Sequence, residues 1–213
     1  MTQYPTVFIV DDDPSVLRSL ERLVRSAGFQ VVTFISAKEF LAHSVNDMHG
    51  CIVLDMRMPD IGGFDLQHAL HAGGNRLPIV FLTGYGDIPM SVRAIKSGAV
   101  DFLSKPCEDS KLLAAIEEAI TTDAKAREAR AGRSELQRRF SSLTPREREV
   151  CSHVVAGRLN KQIAYDLGVG EQTIKVHRMR IMEKLCVRSL ADLVRLAKEV
   201  DMPLPVPGNS TLV

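Results

Sequence analysis

The sequence predicts an α/β domain followed by an all-α domain. Up to residue 121, five short apolar runs alternate with amphipathic stretches, the pattern of a parallel sheet with helical crossovers. After residue 142, the readable pattern is helical. Residues 1–121 hold 10 Lys and Arg against 15 Asp and Glu, whereas residues 122–213 hold 17 against 11. The length of 213 residues favours two domains, and the charges indicate that the two have different partners.

The first domain is predicted to contain an open, doubly wound sheet. Its five strands are expected at residues 7–10, 31–34, 51–54, 79–82 and 100–103. Between the first two strands, Asp13 is placed to cap a helix, Pro14 occupies its first turn and Gly28 ends it. We interpret Asp13 as a helix cap, with metal ligation as the alternative.

Polar side chains follow four of the predicted strands. Asp11 and Asp12 follow the first strand, Asp55 the third, Thr83 the fourth and Lys105 the fifth. Because the carboxyl ends of parallel strands meet at one edge, these groups should converge, and the clustered carboxylates should attract a hard cation such as Mg²⁺. Asp55 lies on the middle strand and is the candidate nucleophile, with Asp11 and Asp12 holding the metal. Strand-end acids that only cap helices would explain any one position but not all five.

The composition argues against membrane and disulfide-bonded classes. The apolar runs are far shorter than the roughly 20 residues needed to span a bilayer, and the N-terminus lacks a signal region. We therefore expect a soluble cytoplasmic protein. The four cysteines, Cys51, Cys107, Cys151 and Cys186, are scattered and have no His spaced for zinc, so we expect them to be reduced.

The second domain is predicted to contain four helices, at about 145–156, 160–167, 171–185 and 189–198. The first of them begins with a capping box, in which Thr144 is the cap and Glu147 lies three positions later. The second and third helices present apolar faces to each other across a tight turn. This spacing is typical of a helix-turn-helix.

The outward face of the third helix is the candidate DNA surface. Ile174, Ile181 and Leu185 point inward by the 3.6-residue period, which leaves apolar residues exposed beside a lysine. Such a face suits thymine methyls and guanine acceptors in a major groove, and a polar row beside it suits phosphates. A solvated helix with two incidental apolar residues is the alternative. The candidate face comprises Lys175, Val176 and Met179, and the polar row comprises Thr173, His177, Arg180 and Lys184.

The remaining segments are a linker and a tail. Residues 122–141 are predicted to form a partly exposed helix, with Ile116, Ile120 and Ala124 on one apolar stripe. Whether this linker pairs as a two-chain coiled coil or acts as a tether stays open. The Pro-rich tail at 201–213 is expected to be disordered.

Four short motifs make residues 1–121 resemble a response-regulator receiver domain of flavodoxin-like topology. They are "VDDD" at 10–13, "LDMRMP" at 54–59, "LTG" at 82–84 and "DFLSKP" at 101–106. The resemblance implies that Asp55 takes phosphate from a sensor histidine kinase. It also implies that Asp11, Asp12, Asp55 and the backbone carbonyl of Arg57 bind Mg²⁺ or Mn²⁺, and that the peptide before Pro106 is cis.

The same resemblance implies a switch between two residues. Thr83 would move toward the phosphoryl oxygens, and Phe102 would rotate into the space that it leaves. The changed surface, over residues 89–98 and 100–103, is commonly a dimer interface in this family. The alternative for Phe102 is an ordinary core position.

The second domain resembles the LuxR-type four-helix DNA-binding domain. The matching stretches are "LTPREREV", "GRLNKQIAYDLGVGEQTIKVHRMRIMEKL" and "RSLADLVRLA", within residues 142–200. By this resemblance Lys175 and Val176 contact bases, Lys161 and Thr173 contact the DNA backbone, and the last helix pairs two domains. Met179 departs from the basic residue that some relatives have there.

Together the two halves resemble a FixJ/NarL-type transcriptional response regulator. The implied function is phosphorylation-dependent binding of double-stranded promoter DNA as a homodimer, with RNA polymerase as a further partner and no enzymatic activity. One alternative is a Mg²⁺-dependent phosphohydrolase with an aspartyl-phosphate intermediate. Such enzymes usually place a second acid two residues after the nucleophile, where this chain has Arg57. Another alternative is a phosphorylation-gated protein-binding module without DNA.

Overall fold

The computed structural model describes residues 4–43, 48–84 and 88–205. The chain divides into two compact units, residues 1–127 and 128–213. The predicted fold class, an α/β part followed by an all-α part, is confirmed. Each unit has its own hydrophobic core and is described separately below.

The first unit contains a five-stranded parallel sheet of order β2-β1-β3-β4-β5, which is the flavodoxin-like order. Its strands are β1 (Thr6–Val10), β2 (Gln30–Phe34), β3 (Gly50–Leu54), β4 (Ile79–Thr83) and β5 (Asp101–Ser104). The helices that follow them in turn are α1 (Pro14–Ser26), α2 (Ala37–Ala42), α3 (Gly63–Ala72), α4 (Ile88–Lys96) and α5 (Asp109–Ser141). The sheet order places β3 in the middle, as predicted for the strand that precedes Asp55.

The sheet is apolar on both faces because helices cover both. Successive side chains of a strand point to opposite faces, so Val7 and Phe8 of β1 enter different cores. Both residues are fully buried. This burial fixes the register, since a slip of one residue would exchange the two faces.

Helix α1 begins as the sequence predicted. The carboxylate of Asp13 accepts a hydrogen bond of 2.7 Å from the backbone N–H of Ser15, and Pro14 is the first helical residue. Gly28, at a φ of 90°, follows the end of the helix. Asp13 is therefore the cap of α1.

Gly50, the first residue of β3, allows a close approach to β1. Its φ is 146°, and a Cβ atom there would lie 1.8 Å from the carbonyl oxygen of Thr6. A larger residue would push β1 and β3 apart. Glycine at this position thus lets the central strands pair from their first residues.

Helix α5 confirms that the linker is helical, but its buried stripe differs from the prediction. Ala124 is exposed, and the stripe runs instead through Ile116, Ala119 and Asp123, all of them buried. The spacing of three and then four residues keeps these side chains on one face. A stripe of apolar residues does not predict the burial of a carboxylate such as that of Asp123.

The second unit contains α6 (Pro145–Val155), α7 (Asn160–Asp166), α8 (Glu171–Leu185) and α9 (Leu190–Glu199). The capping box is present, with Glu147 N–H donating to Thr144 Oγ1 at 3.2 Å and Thr144 N–H donating to Glu147 Oε2 at 2.8 Å. These four helices and the end of α5 share one core. Its buried members include Leu136, Phe140, Val150, Ile163, Ile174, Ile181, Leu185 and Leu193.

The predicted helix boundaries agree with the structure within about two residues, the usual uncertainty of helix ends. Helix α4 ends at Lys96, and Gly98 follows in the turn at a φ of 92°. No helix of the described segments has both the length and the apolarity to cross a membrane. The tail predicted to be disordered spans residues 201–213, of which 206–213 lie outside the described residues. Within 201–205, Met202 packs against the core of the second unit and donates its N–H to the Ala197 carbonyl at 2.9 Å, so the prediction does not hold for this residue.

Candidate functional site

Two buried carboxylates meet at the carboxyl edge of the sheet. Asp11 follows β1 and Asp55 follows β3, and the two side chains belong to residues that are 3% and 7% exposed. The two acids lie close together because Val10 pairs with Leu54 and because Asp55 N–H donates to the Val10 carbonyl at 2.9 Å. The register of the two central strands therefore determines the distance between the acids.

Lys105 joins these two carboxylates. Its Nζ lies 2.5 Å from Asp11 Oδ2 and 2.8 Å from Asp55 Oδ1. The backbone N–H of Lys105 donates to the carbonyl of Thr83 at 2.7 Å, and the Lys105–Pro106 peptide is cis. The structure thus brings together Asp11, Asp55 and Lys105 from three different strand ends.

Backbone N–H groups hold the other oxygen of each carboxylate. The N–H of Asp13 donates to Asp11 Oδ1 at 2.9 Å, and the N–H of Arg57 donates to Asp55 Oδ2 at 2.6 Å. Side-chain patterns alone missed these two donors. The signal was available in the spacing, because an Asp commonly accepts from the backbone two residues later in a turn.

Helix α3 packs closely behind Asp55. A Cβ atom on Gly63 would lie 2.8 Å from the carbonyl oxygen of Asp55 and 3.0 Å from the ring of Phe81. Gly63 also donates its N–H to the carbonyl of Met56 at 3.0 Å. The first residue of α3 therefore supports the backbone that presents Asp55.

The edge retains an excess of negative charge. Burial raises the pKa of Asp11 above its ordinary value, although the hydrogen bond from Lys105 opposes this. For Lys105, burial favours the neutral amine, but the hydrogen bonds to Asp11 and Asp55 outweigh it and raise the pKa. One ammonium therefore faces two buried carboxylates, with the exposed Asp12 beside them.

These donors fit a hard divalent cation. Mg²⁺ is commonly held by one or two carboxylates together with waters and phosphate oxygens, so it needs no complete cage of protein ligands. The described residues include no group of three or more His, Cys, Asp or Glu side chains arranged to hold a metal. Asp11 and Asp55 supply the buried oxygens, whereas Asp12 is exposed and does not join them in a group of three.

Thr83 and Phe102 lie on the two adjacent strands. Thr83 is fully buried as the last residue of β4, and Phe102 is half-buried with its ring centroid 6.3 Å from that of Phe81. On the neighbouring helix α4, the apolar side chains of Ile88, Val92 and Ile95 are exposed. An apolar surface therefore lies on the element next to the predicted switch strand.

The second unit exposes most of the predicted DNA-contacting residues. Ile174, Ile181 and Leu185 are buried, as predicted for the inner face of α8. The exposed residues of the predicted set are Lys161, Thr173, Lys175, Met179 and Arg180, and the half-buried ones are Val176, His177 and Lys184. Met179 is 55% exposed and so is available to a partner beside Lys175.

Lys184 differs from the other predicted residues because it is engaged inside the unit. Its Nζ lies 2.6 Å from Oε2 of Glu147, a residue only 3% exposed at the start of α6. The hydrogen bond from Lys184 lowers the pKa of Glu147 below its ordinary value. The ammonium of Lys184 thus stabilises a buried carboxylate.

Arg178 is a residue that the sequence pattern did not single out. Its guanidinium donates to Asn160 Oδ1 at 3.0 Å and so ties α8 to the first residue of α7. The two residues are 18 positions apart, so no local spacing could have indicated the pair. Arg178 positions α8 relative to α7.

Two family models match the chain. The response regulator receiver domain matches residues 7–117, and the bacterial regulatory proteins of the luxR family match residues 141–197. Relatives include nodulation protein W of Bradyrhizobium diazoefficiens, which is 48% identical over 90% of this chain and 85% of its own length. Response regulator protein TodT of Pseudomonas putida is 45% identical over 91% of this chain and 86% of its own length.

Solved structures give the same result. The response regulator StyR has 53% identity and a TM-score of 0.85, with 92% of this chain and 99% of that chain covered. Full-length FixJ from B. japonicum has 40% identity and a TM-score of 0.57, with 95% and 100% covered. The relatives do not favour the phosphohydrolase alternative. The chain belongs to the FixJ-type response regulators, with a receiver domain followed by a LuxR-type DNA-binding domain.

Proposed function

We propose that Asp55 accepts a phosphoryl group from a sensor histidine kinase and thereby controls binding of promoter DNA by the second domain. The supporting observation is the arrangement at the sheet edge. Asp55 is buried on the central strand, one of its oxygens accepts from Arg57 N–H, and the other faces the Lys105 ammonium. These two donors hold the Asp55 carboxylate in one orientation, which would favour its attack on a phosphoryl group.

The proposed cofactor is Mg²⁺ or Mn²⁺, since receiver domains typically use Mg²⁺ in phosphorylation. Asp11, Asp12, Asp55 and the backbone carbonyl of Arg57 would hold it. When bound, the cation would neutralise phosphate oxygens that would otherwise be repelled by the carboxylates. The pairing of two buried carboxylates with a single ammonium supports this assignment.

After phosphoryl transfer to Asp55, neighbouring side chains must stabilise the dianionic phosphoryl group. The Lys105 ammonium, already within hydrogen-bond distance of Asp55, would donate to one phosphoryl oxygen. The Thr83 hydroxyl, at the end of the adjacent strand, would donate to another, with Phe102 as the coupled switch residue. This assigns Lys105 and Thr83 to stabilising the phosphorylated state.

The proposed DNA surface is the outward face of α8 with the start of α7. Lys175, Val176 and Met179 would contact base edges in the major groove. Lys161, Thr173, His177 and Arg180 would contact the DNA backbone. We propose a structural role for Lys184, because its ammonium already pairs with the buried Glu147.

Dimerisation on phosphorylation would link the two domains. The exposed apolar side chains of α4 support a receiver dimer through α4 and β5, and a dimer would raise DNA affinity through effective concentration. We propose a receiver at 1–121, a helical linker at 122–141 and a DNA-binding domain at 142–200, with a coiled coil or a tether as the alternatives for the linker. RNA polymerase is the further proposed partner, and the cytoplasm is the proposed location.

Labelling with a radioactive acyl phosphate tests the phosphoacceptor. We expect Asp55→Asn to abolish Mg²⁺-dependent labelling, because the amide is not a nucleophile. Asp65→Asn, an exposed acid at the start of α3, is the matched control and should label like the wild type. Normal stoichiometry in Asp55→Asn would refute the assignment.

A further inference from the structure

A second polar cluster lies at the opposite end of β3 from Asp55. The carboxylate of Asp123, on α5, accepts hydrogen bonds from His49 Nδ1–H at 2.6 Å and from Gly50 N–H at 3.1 Å. Asp123 is only 2% exposed. One buried acid therefore binds α5 to the residues that begin the central strand.

Arg127 adds a contact one helical turn further along α5. Its NH1 group donates to the carbonyl of Met48 at 3.1 Å. Residues 123 and 127 share a helix face, so together they contact three consecutive residues, 48 to 50. We call these contacts of His49, Asp123 and Arg127 the linker latch.

The strand side of the linker latch is held firmly by β1. The N–H of Thr6 donates to the carbonyl of His49 at 2.8 Å, and the close packing of Gly50 on Thr6 leaves no space for a side chain. Residues 49 and 50 therefore cannot shift without moving β1. The amino end of β3 is therefore tied to β1 through Thr6 and to α5 through Asp123.

The surroundings of Asp123 make its hydrogen bonds costly to lose. Cys51, the next residue of β3, is fully buried, and burial together with the charge of Asp123 raises the pKa of its thiol to about 12. A buried carboxylate without partners is strongly unfavourable in such an environment. The buried carboxylate of Asp123 therefore depends on these particular hydrogen bonds, unlike an ion pair on the surface.

The place of the linker latch on α5, between the two units, suggests a regulatory role for it. Apolar anchoring of this helix to the first unit runs through Leu112, Ala115, Ile116 and Ala119. Beyond it, the linker latch holds α5 as far as Arg127, the last residue of the first unit. The helix then continues to Ser141 and contributes Leu136 and Phe140 to the core of the second unit.

We propose that the linker latch couples the phosphorylation state of Asp55 to the linker half of α5. Strand β3 is five residues long, with the phosphoacceptor after one end and the latch at the other. A displacement of β3 on phosphorylation would reach Asp123 through the backbone of this one strand, in addition to any change on the α4 and β5 face. This inference rests on the proposed phosphorylation of Asp55 and specifies how it is transmitted.

The test compares full-length variants with and without acyl phosphate and Mg²⁺. Asp123→Asn should keep the stoichiometry of Asp55 labelling, because the two residues lie at opposite ends of β3. The gain in duplex affinity on phosphorylation should fall by at least about fivefold, the lower range of allosteric coupling. Hydrogen exchange of amides 120–127 should also be faster than in the wild type.

Two further variants guard against misfolding and nonspecific effects. If Asp123→Asn fails to fold, His49→Ala tests the same contact, because it removes the partner side chain, which is 19% exposed. His49→Ala should produce the same loss of coupling. Glu118→Gln, an exposed acid on the same helix, is the control and should match the wild type.

The outcomes distinguish a failure of the proposed role of the linker latch from a failure of the proposed function on which it rests. If the wild type gains affinity on phosphorylation and Asp123→Asn and His49→Ala gain as much, the linker latch has no role in coupling. If the wild type is labelled on Asp55 but shows no gain, the proposed function fails, and the coupling role fails with it.

Discussion

The acidic edge of the first unit and the outward face of α8 are built in opposite ways. At the edge, Asp11 and Asp55 are buried, and each has both oxygens in hydrogen bonds. On α8, Lys175 and Met179 are exposed. The proposed phosphoacceptor is thus oriented in advance by hydrogen bonds, whereas the proposed DNA surface is left open to a large partner.

The comparison predicts that changes at the edge alter stability, whereas changes at the exposed residues Lys175 and Met179 of α8 alter only binding. Lys105→Met should give the largest effect, because it leaves two buried carboxylates without their cation. We expect a loss of about 3 kcal/mol in the free energy of unfolding, measured by urea denaturation without Mg²⁺. Added Mg²⁺ should restore part of it.

Lys38→Met is the matched control for this change. Lys38 also forms an ion pair, at 2.7 Å with Asp60, but both side chains are more than 60% exposed. Its loss should leave the urea midpoint unchanged. Equal destabilisation by the two variants would show that the buried ion pairs of Lys105 contribute no more stability than the exposed pair of Lys38.

Lys175→Ala should give the largest effect on α8. We expect the discrimination between the operator and single-base variants to fall by about 2 kcal/mol at one position, because a base contact is removed. The thermal midpoint should not change. Competition binding with a set of substituted duplexes measures the first quantity, and an unaltered base preference would contradict the assignment.

Lys184→Met separates the two effects, because this residue lies on α8 but its ammonium pairs with the buried carboxylate of Glu147. It should cost about 1 kcal/mol of stability at pH 7, since a buried carboxylate loses its charged donor but Lys184 is partly solvated. DNA affinity should stay close to that of the wild type. A large loss of affinity with normal stability would place Lys184 in the DNA surface instead.

The pH dependence of this difference has a definite sign. The pKa of Glu147 is lowered in the folded protein, so its contribution is present above its ordinary value of 4.5 and is lost as pH falls through the folded pKa. The stability difference between wild type and Lys184→Met should therefore shrink below about pH 4.5. Urea titrations between neutral and acidic pH measure this change.

Lys161→Ala should give the smallest effect. Loss of one phosphate contact should weaken binding to all duplexes alike and reduce the slope of log affinity against log salt by about 1. Base preference should be retained. A change that depends on sequence would move Lys161 from the backbone contacts to the base contacts.

The fold was largely predictable because its strands and helices follow simple periods. Apolar runs located the five strands, and the convergence of parallel strand ends indicated that Asp11, Asp55 and Lys105 meet. The capping box of Thr144 and Glu147 was predictable for the same reason, since it depends on local spacing.

Contacts between distant positions were not predictable. Lys184 has the spacing of an outward residue on α8, but its partner Glu147 lies 37 residues away. The sequence gives no signal for Asp123, since a charged residue in a polar stretch is usually solvated and its partner His49 is 74 residues away. Periodicity shows which face a residue occupies and gives no information about the element packed on that face.

A crystal structure of the full-length protein with Mg²⁺ and beryllofluoride would show whether Asp55 is the phosphoacceptor. We expect a beryllofluoride group on Asp55, a cation bound by Asp11 and Asp55, and Lys105 and Thr83 within hydrogen-bond distance of the fluorides. Clear density with an empty sheet edge, and Lys105 still between the two carboxylates, would contradict it.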